Sequence, residues 1–209
     1  LKRLDTESFL LSFWFGLALT TLFLLVWHMF LAVTWHAQAI VFVAGFAGLR
    51  PYATDLRGLI RRATTRHNWV GLTIATAAGL WLANRATAAC CSADTAMYDL
   101  PSIIWIKTFP LVPGLGNLSE RLAVNNSNYL YSALLDTGLW SGLASHLANG
   151  LLAFVFLCSA VIGGLTLLRN DGSDGFTREQ RSIAGFRLAL VAPIMLLAVR
   201  DQVSSFNSN

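Results

Sequence analysis

The chain has 209 residues, 55% apolar and 12% charged, with a mean hydropathy of +0.57 and a formal net charge of +4. Soluble domains carry roughly a quarter charged residues, so this composition excludes an ordinary soluble domain and describes an all-α, multi-pass integral membrane protein. A nucleic-acid surface is excluded too, because the arginines sit in short loops between apolar runs and form no basic, aromatic-lined groove.

Residues 9–49 contain no Asp, Glu, Lys or Arg. One helix of that length would extend about 61 Å at about 1.5 Å per residue, twice the ~30 Å hydrocarbon core. The run therefore predicts two spans, about 9–31 and 34–50, with a turn near Val33–Gln38 and with Trp27 and Trp35 at the far interface. The first run is too long for a signal-peptide core and ends in no small-residue cleavage site, so it reads as a retained span. Residues 50–68 form a connector with Arg50, Arg57, Arg61, Arg62 and Arg66 against one Asp. That balance marks a cytoplasmic side, and it also suits a surface helix on anionic lipid. A third span is expected over about 69–89, with Arg85 snorkelling near its end.

Residues 90–146 are too polar for the bilayer and read as one long outer loop carrying short interfacial helices. A fourth span follows at about 147–168, where Gly163 and Gly164 permit close helix contact. The charged stretch 169–182 leads to a fifth span at about 183–199. Lys2, Arg3, the five connector arginines, Arg169, Arg178, Arg181 and Arg187 then share one side, eleven of the fifteen basic residues. About five spans with the N-terminus inside satisfy the positive-inside bias. The three cysteines make no disulfide framework.

The outer loop holds the candidate chemistry. Asp94 falls at the outer surface beyond the third span, with Tyr98 one helical turn on and Met97, Leu100, Ile103 and Ile104 as an apolar stripe. A carboxylate at headgroup level can act as general base toward a hydroxyl acceptor while a lipid-linked donor lies in the bilayer. The alternative role for Asp94 is a solvated boundary residue or helix N-cap. His28 and His36 each stand beside a Trp in the first two runs. They are candidate haem or (bacterio)chlorophyll ligands, or else imidazoles that cap a helix end or bond a neighbouring carbonyl. No Cys or His pair has metal-site spacing.

Asp94, Thr95 and Tyr98, then Trp105 and Ile106, then the run Val112, Pro113, Gly114, Leu115, Gly116, Asn117 and Leu118, with Arg121, Leu122, Ala123, Asn125 and Ser127, form a signature. The segment Asp94–Leu134 resembles the signature region of a family of bacterial multi-pass membrane proteins related to the GT-C glycosyltransferases, which use polyprenyl-phosphate sugars. The resemblance implies a bacterial inner membrane protein with loop 90–146 in the periplasm. It implies that Asp94 takes the place of the GT-C first-loop aspartate, the general base, and that Arg121 contacts a lipid phosphate through paired donors. The chain departs from the family at Asp99 (His in the family), Pro101 (Gln) and Ser119-Glu120 (His-Gly). Pro101 disfavours helical angles at Leu100, so the surface helix is expected to break or start late.

GT-C enzymes have roughly twice as many spans, so the expectation is a truncated relative. On this reading it is a non-catalytic accessory subunit of a larger membrane complex, photosynthetic or respiratory. It would contact membrane lipids, other integral membrane subunits and, at the interface, lipid or (bacterio)chlorophyll. The alternative is a glycosyltransferase using a polyprenyl-phosphate sugar, with Asp94 as base.

Overall fold

The computed structural model describes residues 6–63, 69–86, 95–119, 126–137, 141–142, 147–168, 182–186, 188–189 and 191, and every regular element among them is helical. In chain order these are α1 (Thr6–His28), α2 (Trp35–Leu49), a 3-10 turn (Arg50–Tyr52), α3 (Ala53–Ala63), α4 (Trp69–Ala86), a π turn (Thr95–Asp99), α5 (Leu100–Thr108), α6 (Leu115–Leu118), α7 (Ser127–Leu135) and α8 (Leu147–Leu168). Among the described residues, two stretches are long and apolar enough to cross a membrane, Phe9–His28 and Leu147–Leu165. The 15 residues of α2 extend about 22 Å at 1.5 Å each, short of the ~30 Å core. Most of the expected fifth span, 183–199, lies outside the described residues.

The turn between α1 and α2 falls at Met29–Thr34, ahead of the expected Val33–Gln38. Local and tertiary bonds move it there. The Trp27 indole donates to the Ala32 carbonyl at 3.0 Å, and the Val33 N–H donates to the Ile106 carbonyl of α5, also at 3.0 Å. Trp35–Gln38 thereby become the first turn of α2, with the Gln38 N–H on the Thr34 carbonyl.

The described parts of the polar segment 90–146 include core as well as surface. Tyr129–Leu134, six consecutive residues of α7, are all buried. A helix enclosed on every side is a core helix whatever its composition. It packs against α1, α2, α5 and α8. Leu24, Val33, Ala37, Ile103, Tyr129, Leu130, Ala133 and Leu134 make one core, edged by Phe23, Leu25, Trp27, Val41 and Ile106. Each large aliphatic buried there contributes roughly 1.5–3 kcal/mol. The expected interfacial stripe divides accordingly: Ile103 is fully buried in this core, while Met97, Leu100 and Ile104 face outward. Pro101 sits in the first turn of α5 and Leu100 is helical, because a first-turn residue needs no N–H for the ladder.

A second core brings Leu82 of α4 and Ala153 and Ala160 of α8 together with Val191. Gly79 lets the Phe154 ring of α8 approach its backbone. The Trp14 and Phe156 rings, 4.9 Å apart, bring α1 to the same helix, and Asn128 Nδ2 donates to Asn149 Oδ1 at 3.3 Å, tying α7 to α8.

Candidate functional site

Within the described parts of the polar segment, charged side chains meet partners at two points beside α5 and α7. At the first, the Tyr129 phenol donates to Asp99 Oδ1, and both residues are buried, at 9% and 6% exposure. The second carboxylate oxygen, Asp99 Oδ2, has no hydrogen-bond partner among the described residues, nor do the Trp105 indole N–H and the Ser132 hydroxyl. Burial, and then the adjacent Asp99 carboxylate, push the Tyr129 phenol up to about 12, since both disfavour a second negative charge.

At the second point, Lys107 Nζ pairs with Asp136 Oδ2 at 2.7 Å and donates to Ser141 Oγ at 3.0 Å. The Gly142 N–H donates to the other carboxylate oxygen, Asp136 Oδ1, at 2.8 Å. Asp136 is 4% exposed, and each of its carboxylate oxygens has a donor, as a buried carboxylate requires. Beside this pair is a shallow cavity of about 340 Å³ lined by Val33, Thr34, Trp35, Lys107, Thr137 and Ser141. Its one cation is already neutralised by Asp136. The Thr137 hydroxyl is spent on the Leu134 carbonyl at 2.8 Å.

The signature residues fall as follows. Asp94, Arg121 and Asn125 lie outside the described residues. Tyr98 is half-buried in the π turn, where its carbonyl accepts from Ser102 Oγ at 2.7 Å. Val112–Leu115 form a tight turn closed by the Leu115 N–H on the Val112 carbonyl at 3.2 Å. Gly114 has φ 83° and ψ 2°, which together with Pro113 one residue earlier is a type II turn. Gly116 and Asn117 follow, exposed, on the single-turn α6. The whole run is stitched to α1 by the Leu111 N–H on the His28 carbonyl at 2.8 Å.

His28 Nε2 lies 3.2 Å from the Phe109 carbonyl oxygen, the bond of an imidazole at a helix end. A ligand bound through that nitrogen would have to displace it. His36 Nδ1 is 3.2 Å from the Thr34 hydroxyl, and its ring lies 3.8 Å from that of Trp35. The sequence reading missed both ion-centred contacts. Lys107 within Ile-Ile-Trp-Ile-Lys-Thr-Phe and Asp136 after Ala-Leu-Leu carried the signal, because a lone charge in an apolar run needs a partner.

A family described as a domain of unknown function (DUF8201) matches the chain over residues 1–199. No curated protein and no solved structure matches it.

Proposed function

The chain belongs to the DUF8201 family, and from that premise we propose that it is a non-catalytic membrane subunit that packs within a larger membrane assembly. One observation carries this reading. The charged side chains of the described outer loop are turned onto fold partners, Asp99 onto Tyr129 and Lys107 onto Asp136, while large apolar side chains are turned outward. On α1 and α2 these include Phe15, Leu19, Phe42, Val43 and Phe46, the last 70% exposed. Around the α1–α2 turn and the outer loop, Phe30, Leu31, Phe109 and Leu111 continue the pattern. Apolar surface on that scale is covered by lipid, partner helices or both. The fuller topology belongs to the same proposal: about five crossings in a bacterial inner membrane, with the N-terminus cytoplasmic and the outer loop periplasmic.

A second reading is favoured by the signature itself. Val112–Leu118 folds as a closed turn and a helical turn bonded to the end of α1, so the motif is built into the fold. On this reading the chain contributes to sugar transfer from a polyprenyl phosphate, with Asp94 as base and Arg121 on the phosphate.

Purification in mild detergent with mass spectrometry of whatever elutes separates the two. Stoichiometric membrane partners are the expected result. A protein that elutes without partners and with a bound polyprenyl phosphate overturns the subunit reading. Transfer of a labelled lipid-linked sugar that is lost in Asp94→Asn would then establish the other.

A further inference from the structure

We infer that α3 is an interfacial helix that binds anionic phospholipid, an inference that rests on the membrane reading above. α3 is far more two-faced than α1, α2, α4, α7 or α8. Leu56, Leu59 and Ile60 recur at i, i+3 and i+4 and so share a face. Leu56 and Leu59 are half-buried, and Ile60, at the outer edge, is 56% exposed. Arg57 and Arg61, one turn apart, are exposed beside that stripe.

The position of α3 limits what can cover it. It follows α2 through the single 3-10 turn Arg50–Tyr52, with no linker to carry it away from the end of that apolar helix. Arg50, at the junction, is exposed as well. Across residues 64–68 the chain resumes at Trp69, which is 62% exposed at the start of α4, where an aromatic ring suits the headgroup layer.

A topology signal requires only the positive charges. An aliphatic stripe beside them, open at its outer edge at Ile60, is what a helix lying at the acyl–headgroup boundary adds. Against Arg50, Arg57 and Arg61 the first turn of α3 sets the single acid Asp55, so the face is basic and its complement is an anionic headgroup. A protein partner fits less well. Three aliphatic residues on an 11-residue helix fall far short of the ~800 Å² per side of a stable protein interface.

The test uses the full chain in nanodiscs of phosphatidylcholine with and without phosphatidylglycerol. Lipids retained after partial delipidation are counted by native mass spectrometry. A spin label at Ile60→Cys, in a background with Cys90, Cys91 and Cys158 replaced, reports access to oxygen (lipid) and to a nickel chelate (water). The expected result is enrichment of phosphatidylglycerol, a fall in that enrichment of up to about fivefold for each of Arg57→Gln and Arg61→Gln, and a label that oxygen reaches preferentially. Equal retention of the two lipids by the unmodified chain overturns the inference. A label shielded from both reagents also overturns it and assigns the face to protein. A chain that does not enter the nanodisc overturns the membrane reading itself, an outcome distinct from the other two.

Discussion

Replacing Tyr129 by Phe removes one hydroxyl from the junction of α5 and α7 and leaves the ring in place. The phenol is the described partner of Asp99, whose other carboxylate oxygen is buried without a partner among the described residues. A hydrogen bond to a charged group contributes about 1.5–3 kcal/mol, and its loss exposes the remaining partner's desolvation cost. For a chain of this size each kcal/mol moves the melting temperature by roughly 2–4 °C, so Tyr129→Phe should lower it by roughly 3–12 °C. Thermal unfolding in mild detergent at pH 7, followed by circular dichroism, measures the shift. The same change is then made in an Asp99→Asn background, where the phenol donates to a neutral amide oxygen worth about 0.5–1.5 kcal/mol. The penalty should shrink accordingly. An equal drop in both backgrounds, or a drop below about 1 °C in the first, refutes the placement of this charged hydrogen bond at the centre of the loop.

Lys107→Met should cost about 3–5 kcal/mol in the same assay, because it leaves the Asp136 carboxylate buried beside the Gly142 N–H without its cation; replacing both members of the pair by apolar residues should recover most of that. In alkaline titration the Tyr129 contribution to stability should be fully present up to about pH 10, the unfolded value for tyrosine. Stability should then fall toward the folded value of about 12 for Tyr129. The raised phenol keeps its proton in the folded state longer than in the unfolded one, and the slope is at most about 1.4 kcal/mol per pH unit for that group. Tyr129→Phe should flatten this limb; the buried Tyr131, also shifted upward, should keep part of it. Gly163→Val places a side chain where a Cβ would already lie 3.2 Å from the Ala184 carbonyl oxygen and should cost about 1–3 kcal/mol. Gly164→Ala meets nothing within 4 Å and should be neutral or gain up to about 1 kcal/mol in melting experiments. Gly114→Ala should cost about 1–2 kcal/mol, since φ 83° sets its Cβ against the following carbonyl.

Much of the helical framework is legible because hydropathy is a local property. The charge-free stretch from Phe9 and the apolar run from Leu147 become α1 and α8 without reference to anything distant. The turn at Pro113-Gly114 is legible for the same reason, since proline sets one dihedral angle and glycine accepts the next. The role of α7 is not. Its residues Ser127, Asn128, Tyr129 and Ser132 read as outer loop, and nothing within Ser127–Leu135 says that four other helices will close around it. Tyr129 and Asp99 are 30 residues apart, and Lys107 and Asp136 are 29 apart. No periodicity links residues at those distances. Asp99 appears in the sequence as a departure from a family pattern, and in the structure as a buried acceptor.

By itself the sequence determined the class of molecule: helices, apolar enough in at least two places to cross a bilayer, broken by one long polar segment and one arginine-rich connector. These follow from the cost of placing polar backbone and charge in hydrocarbon, which each segment settles alone. Only the tertiary structure decided that α7 and one face of α5, within the polar segment, turn inward and join a core. That outcome depends on pairing each buried charge with a specific distant donor. The α1–α2 turn at Met29–Thr34 likewise takes its position from the Ile106 carbonyl of α5, more than seventy residues further along the chain.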